Sequence, residues 1–141
     1  MTEGFQGHRY ECQVRFSDVD VYGHVNNVKY FEYYQEARIA FVLSLAGGGF
    51  DADSSMRQVV ARIDVDYRRP ILFRAEPYVV ETRVTRIGTS SYDLASRILD
   101  EEGTVYSQAE VRLVAFDLAT GRSRPLSDVE RSRLQGMLSE G

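Results

Sequence analysis

Asp18 and Asp20 stand two residues apart in RFSDVDVYGHVNNVKYFEYYQEAR, residues 15–38, followed at once by Gly23, His24, Asn26 and Asn27. Two carboxylates and an imidazole in so short a span are suited to acid–base or nucleophilic chemistry. Gly23 permits a tight turn, and His24, Asn26 and Asn27 can hydrogen-bond the unpaired amides at a helix start. A reacting group held there would meet a carboxylate and the positive end of a helix dipole together.

A strand before these residues and a helix after them would hold them in place. Tyr10 to Phe16 alternates well enough to predict a strand, and the segment after it is too polar and turn-rich to continue it. The helix begins near Asn27. Tyr30, Tyr34, Ala37, Phe41 and Leu45 recur at helical spacing, while Lys29, Glu32, Gln35, Glu36 and Arg38 fill the other face. Beyond Ile39 the pattern is apolar nearly all round, which predicts burial on every side, and Gly47, Gly48 and Gly49 end the helix.

Period-two patterning governs the rest. Val59, Ala61, Ile63, Val65 and Tyr67 alternate with Val60, Arg62, Asp64 and Asp66 until Pro70 breaks the run. Strands follow at Tyr78 to Ile87, Tyr92 to Leu99 and Val105 to Asp117, joined as hairpins by turns around Gly88 and Gly103. Thr120 and Gly121 form another turn, and Ser127 with Glu130 forms a capping box for a short polar helix. A helix that is apolar nearly all round needs a sheet that curls around it. The sheet edges left over need cover that a partner subunit could supply.

Composition narrows the function classes. With 141 residues, 43% of them hydrophobic, and no repeat or low-complexity linker, a single domain over residues 1–141 is expected. A net charge of −4 provides no global field for nucleic acid or an anionic membrane, so neither partner is expected. Of the 17 basic residues only Lys29 is lysine, a bias read here as base composition rather than phosphate recognition. Cys12 is alone, the N-terminus lacks a signal-peptide pattern, and no apolar run could span a bilayer, so a soluble cytoplasmic protein is expected. There is no Gly-x-Ser-x-Gly elbow. The glycine run at 47–49 lacks the lysine of a phosphate loop, and His8, Cys12 and His24 make no metal set, so neither cofactor nor metal is expected.

The pattern DVDVYGHVNNVKYFEYYQEAR, with RIDVDYRRPILF and YVVETRVTRIG after it, resembles the hotdog-fold acyl-CoA thioesterases of the 4-hydroxybenzoyl-CoA thioesterase type over nearly the whole chain. Its most specific part is the Asp-x-Asp-x-x-Gly-His-Val-Asn-Asn run from Asp18 to Asn27. The resemblance implies an α+β hotdog fold: a five-stranded antiparallel sheet wrapped around a long central helix, with a short C-terminal helix. It also implies a homodimer or homotetramer built by edge-to-edge sheet pairing, and hydrolysis of an acyl-CoA substrate to free acid and CoA.

Carried onto this chain, the resemblance makes Asp20 the nucleophile or general base and leaves Asp18 to hold the turn. Gly23, His24, Asn26 and Asn27 support it, with Asn27 as helix cap and Asn26 positioning the water or the aspartate. The backbone amides of Gln58, Val59 and Val60 become the oxyanion donors, and these can come from a different subunit than Asp20. The turn Gly88, Thr89, Ser90, Ser91 is a candidate CoA phosphate site. It lacks the basic residues certain relatives carry there, so Arg86, Arg68 and Arg69 are expected to compensate. The aromatic helix face is expected to wall the acyl pocket. Two other readings are a carrier-protein thioesterase and a non-catalytic acyl-thioester binding module.

Overall fold

The alternating segments become one antiparallel sheet. The computed structural model describes residues 7–45 and 57–138, so the predicted helix stop at Gly47–Gly49 and the loop to residue 56 lie outside the described residues. The strands are β1 (His8–Cys12), β2 (Gln58–Tyr67), β3 (Tyr78–Ile87), β4 (Ser91–Leu99), β5 (Val105–Asp117) and β6 (Arg122–Ser123), with helices α1 (Asn27–Leu45) and α2 (Asp128–Gln135). The spatial order is β1-β3-β4-β5-β2, and the two-residue β6 pairs with β5. The fold class is therefore the expected one, with β6 added to the five expected strands.

The strands depart from the expected bounds and alternation in two places. β1 lies earlier than predicted because Asp18 bonds back to the Arg15 amide at 3.1 Å and winds Phe16–Asp18 into a 3-10 turn. In β2 the register shifts between Val60 and Arg62, a bulge that leaves Ala61 unpaired. Gln58 and Val60 therefore share a face with Ile63, Val65 and Tyr67, and Val59 and Ala61 do not as the simple alternation had it. The capping box at Ser127 and Glu130 forms as expected.

α1 packs mainly on β1 and β3. Tyr30, Tyr33, Tyr34, Ala37 and Phe41 point into two apolar clusters, one around Val80 and Ile98 and one around Tyr92, Leu94 and Leu113. The tyrosine hydroxyls are satisfied inside: Tyr34 donates to Ser107 Oγ at 2.7 Å, and Tyr33 donates to Asp18 at 2.7 Å. Burial on every side beyond Ile39 does not occur, since among the described residues that follow only Phe41 is buried and Ser44 is exposed. The sheet covers one side of the helix, and β2 at its far edge is exposed along most of its length. No helix among the described residues is long and apolar enough to cross a membrane.

The sheet face turned away from α1 carries ion pairs. Glu81 lies between Arg9 and Arg97, and Asp93 lies between Arg86 and Arg112, at 3.0 and 2.8 Å. The Arg112 guanidinium, with help from Arg86 and against the cost of burial, pulls the Asp93 carboxyl down to about 2. Unfolded, Asp93 titrates near its ordinary value, so its contribution to stability is complete above about pH 4 and is lost as pH falls toward 2. The urea midpoint is expected to drop through that window, and Asp93→Asn to flatten the drop. An unchanged slope in the variant would assign the acid sensitivity to other carboxylates.

Candidate active site

Turn chemistry around the two aspartates assigns them different work. Asp18 is 1% exposed, and its carboxylate accepts from the Tyr33 hydroxyl, the Arg15 amide and the Arg15 guanidinium. Burial raises its pKa, but these donors outweigh burial and hold the group below the usual carboxylate range. Its backbone carbonyl accepts from Asn26 N at 2.9 Å, closing the loop. Asp18 is fully committed to the architecture.

Asp20 is exposed, and only part of its carboxylate is committed. Oδ1 accepts from the amides of Tyr22 at 2.9 Å and His24 at 3.1 Å, and backbone bonds to His24 and Gly23 complete the turn. Gly23 adopts φ 76°, the left-handed conformation this turn requires. Asp20 Oδ2 has no partner among the described residues. Together with His24, Asn26, Asn27, Tyr30, Tyr67, Arg68, Arg69 and Pro70, Asp20 lines a cleft of about 480 Å³.

The helix cap falls to the other asparagine than expected. Asn26, not Asn27, caps α1, with its Oδ1 accepting from Val28 N at 3.1 Å. The Asn27 side chain has no partner among the described residues and lines the cleft. The reason is geometric: the cap must sit one residue outside the helix, and α1 already includes Asn27. His24 acts on Asp20 through its backbone, while its imidazole ring approaches Tyr22. The aromatic helix face is spent on the core, and only Tyr30 reaches the cleft.

Arg68 and Arg69 reach this cleft because their amides both donate to Tyr106 O, at 3.0 and 3.1 Å. Arg68 is held by Gln108 Oε1 at 2.9 Å, whereas the Arg69 guanidinium has no partner among the described residues. Within the chain, the remaining predicted residues lie at the other end of the sheet. Val114 of β5 pairs with both Val59 and Ser91, so the start of β2 and the Gly88–Ser91 turn are neighbours. Tyr67, beside the cleft, pairs with Ser107 far along β5. At about 3.3 Å per residue the length of β2 separates the two groups by roughly 30 Å.

Ladder geometry sorts the three candidate oxyanion amides. Phe116 N donates to Arg57 O at 3.2 Å, which makes Gln58 and Ala115 a non-hydrogen-bonded pair of the antiparallel ladder. The Gln58 and Val60 N–H groups therefore point to the open edge of β2. Val59 N–H points inward to β5 and is consumed by the ladder, so it is withdrawn as a donor.

The Gly88–Ser91 turn is held from within and from α2. Arg86 bonds Asp93 and Ser91 Oγ, and its Nη1 sits so close to Gly88 that a Cβ there would lie 2.6 Å from it. Arg131 Nη2 donates to Gly88 O at 2.9 Å and Thr89 O at 3.3 Å. Thr89 and Ser90 amides donate to no described residue. Arg131 thus brings to the turn the charge its own sequence lacks. Sequence reasoning missed it because only tertiary folding joins residues 88 and 131.

Among the described residues no three His, Cys, Asp or Glu side chains converge as a metal site. Comparison with known proteins agrees with the fold. A sequence profile described as Thioesterase-like superfamily matches residues 14–134. The long-chain acyl-CoA thioesterase FadM of Escherichia coli K12 is 29% identical over 129 residues, 91% of this chain and 97% of FadM. A thioesterase from Thermus thermophilus, crystallised with coenzyme A and zinc, superposes with TM-score 0.80 at 32% identity over 96% of both chains. A 1,4-dihydroxy-2-naphthoyl-CoA thioesterase from Synechocystis shares the fold at TM-score 0.76 and 18% identity, covering 90% of this chain and 94% of that one. With its hotdog fold and a profile match across residues 14–134, the chain belongs to the thioesterase-like superfamily.

Proposed function

We propose that this chain hydrolyses acyl-CoA thioesters as a homodimer, each active site joining the Asp20 cleft of one subunit to the β2 start and the Gly88–Ser91 turn of the other. The observation that carries this reading is Asp20, which keeps one oxygen free in a cleft lined by Asn27, Arg68 and Arg69. Pairing of two β2 edges antiparallel about a two-fold axis, with ladder bonds confined to the middle of the strands, brings the start of one β2 toward the Tyr67 end of the other and leaves its first outward amides unpaired. The outward Gln58 and Val60 amides of one subunit then reach the partner's cleft. Two groups roughly 30 Å apart in one chain become one site.

A thioester needs no strong alkoxide nucleophile, because its carbonyl is electrophilic and a thiolate leaves readily. Asp20 either attacks the carbonyl carbon directly or takes the proton of the water that attacks it. In both routes a C–O bond forms, negative charge builds on the carbonyl oxygen facing the Gln58 and Val60 amides, and the C–S bond breaks. In the general-base route the CoA thiolate takes up the proton Asp20 removed from water and the acid departs. In the direct route the acyl group stays on Asp20 as a mixed anhydride until a water cleaves it, which releases the acid, restores the carboxylate and supplies the proton for the thiolate. Arg69 on the cleft, and Arg86 with the Gly88–Ser91 turn across the interface, are suited to the CoA phosphates.

Release of free thiol from a panel of aryl-, short-, medium- and long-chain acyl-CoAs tests the activity. Tight binding of an acyl-CoA with no thiol released from any of the panel would establish a binding module instead. Arg69→Gln is expected to raise KM for the CoA ester about tenfold relative to the corresponding pantetheine ester. Equal effects on both esters would remove Arg69 from phosphate recognition.

A further inference from the structure

Arg124 lies six residues from Glu130, and the two form a salt bridge at the end of the sheet that carries Gln58. Glu130 is 2% exposed, accepts from Arg124 Nη1 at 2.7 Å and Nη2 at 2.9 Å, and also accepts from Ser127 N at 2.8 Å. The same guanidinium donates to Arg57 O at 3.1 Å and to Phe116 O at 3.3 Å. Glu130 is buried and Arg124 half-buried, and taking the carboxylate out of water is costly where an apolar residue of similar volume would often serve stability as well. Its arrangement therefore calls for a role beyond packing.

The peptide group that Arg124 grips supplies that role. Arg57 C=O and Gln58 N–H belong to one planar amide, and the carbonyl takes a charged donor from Arg124 together with the Phe116 amide. Two donors on the carbonyl, one of them charged, draw electron density through the amide and strengthen its N–H as a donor. They also fix the direction in which that N–H points, toward the open edge of β2.

We infer that Arg124, clamped by Glu130, is a positioning residue that orients and polarises the Arg57–Gln58 peptide so that the Gln58 amide can stabilise the thioester oxyanion. This rests on the reading of Gln58 as an oxyanion donor. It makes the short C-terminal helix part of the catalytic architecture without contact to substrate. The β2 start precedes Arg124 by more than sixty residues, so only the folded sheet brings them together.

Steady-state kinetics of Arg124→Met, Arg124→Lys and Leu134→Ala test the inference. Leu134 is a fully buried α2 residue outside the site, so its truncation reports the consequence of loosening the helix alone. Arg124→Met is expected to lower kcat about tenfold with KM little changed, less than loss of the donor itself. Arg124→Lys recovers part of that loss, and Leu134→Ala, though destabilised, keeps its kcat. Wild-type kcat in Arg124→Met, or an equal loss in Leu134→Ala, overturns the positioning role while leaving the thioesterase reading intact. No thiol release by the native protein, or undiminished turnover in Gln58→Pro, overturns the parent reading and the inference together.

Discussion

Asp20→Asn is expected to lower kcat for acyl-CoA hydrolysis about 100-fold or more, with thermal unfolding close to that of the native protein. Asparagine keeps the Oδ1 acceptor that holds the Tyr22 and His24 amides, so the turn survives and only the carboxylate chemistry is removed. Asp20→Ala removes both, and adds a stability loss of about 1 kcal/mol from the unpaired turn amides. Asp18 should respond in the opposite sense. Asp18→Asn weakens a buried acceptor of three donors and is expected to cost about 2 kcal/mol, visible first in the unfolding midpoint. Near-native turnover in Asp20→Asn would reject its assignment, whatever happens at Asp18.

Gln58→Pro is expected to lower kcat by about 100-fold, because proline deletes the outward N–H and nothing else of the backbone. The backbone tolerates it, since Gln58 is the first residue of an edge strand and its N–H makes no bond to β5. Because its side chain also accepts from the buried Tyr92 hydroxyl, Gln58→Ala is the control for that loss. The strongest consequence appears on mixing. Asp20→Asn and Gln58→Pro subunits, each inactive alone, form heterodimers in which one site has both its aspartate and its amide intact. Random exchange in a one-to-one mixture should restore about a quarter of native activity. Absence of recovery, with subunit exchange demonstrated by mass, would mean that Asp20 and the Gln58 amide do not meet across subunits.

Much of this architecture is legible in the residues themselves. The ends of β3 and β5 fall where the alternation puts them, and β4 begins one residue early, because both faces of these central strands are strongly specified. The helix start and the Ser127–Glu130 box depend on neighbours a few residues apart, which a linear reading can see. Failures come where a distant partner decides. The start of β1 at His8 is set by its pairing with Tyr78–Thr82 of β3, the Ala61 bulge answers to β5, and the open flank of α1 reflects how far the sheet curls.

The candidate site divides along the same line. Two aspartates, a glycine at φ 76° and an asparagine cap form their turn from contacts within ten residues, so the sequence by itself determined that this segment is a turn presenting polar groups before a helix. Its likeness to a thioesterase family rests on that same local order. Only the tertiary structure decided that Asp18 is buried against Tyr33 while Asp20 stays open, and that Gln58 N–H faces outward while Val59 N–H does not. The link from Arg124 to the Gln58 peptide was decided there too. These outcomes depend on strand register and burial, which are set by the simultaneous pairing of segments far apart in the chain and leave no trace in the spacing of any one of them.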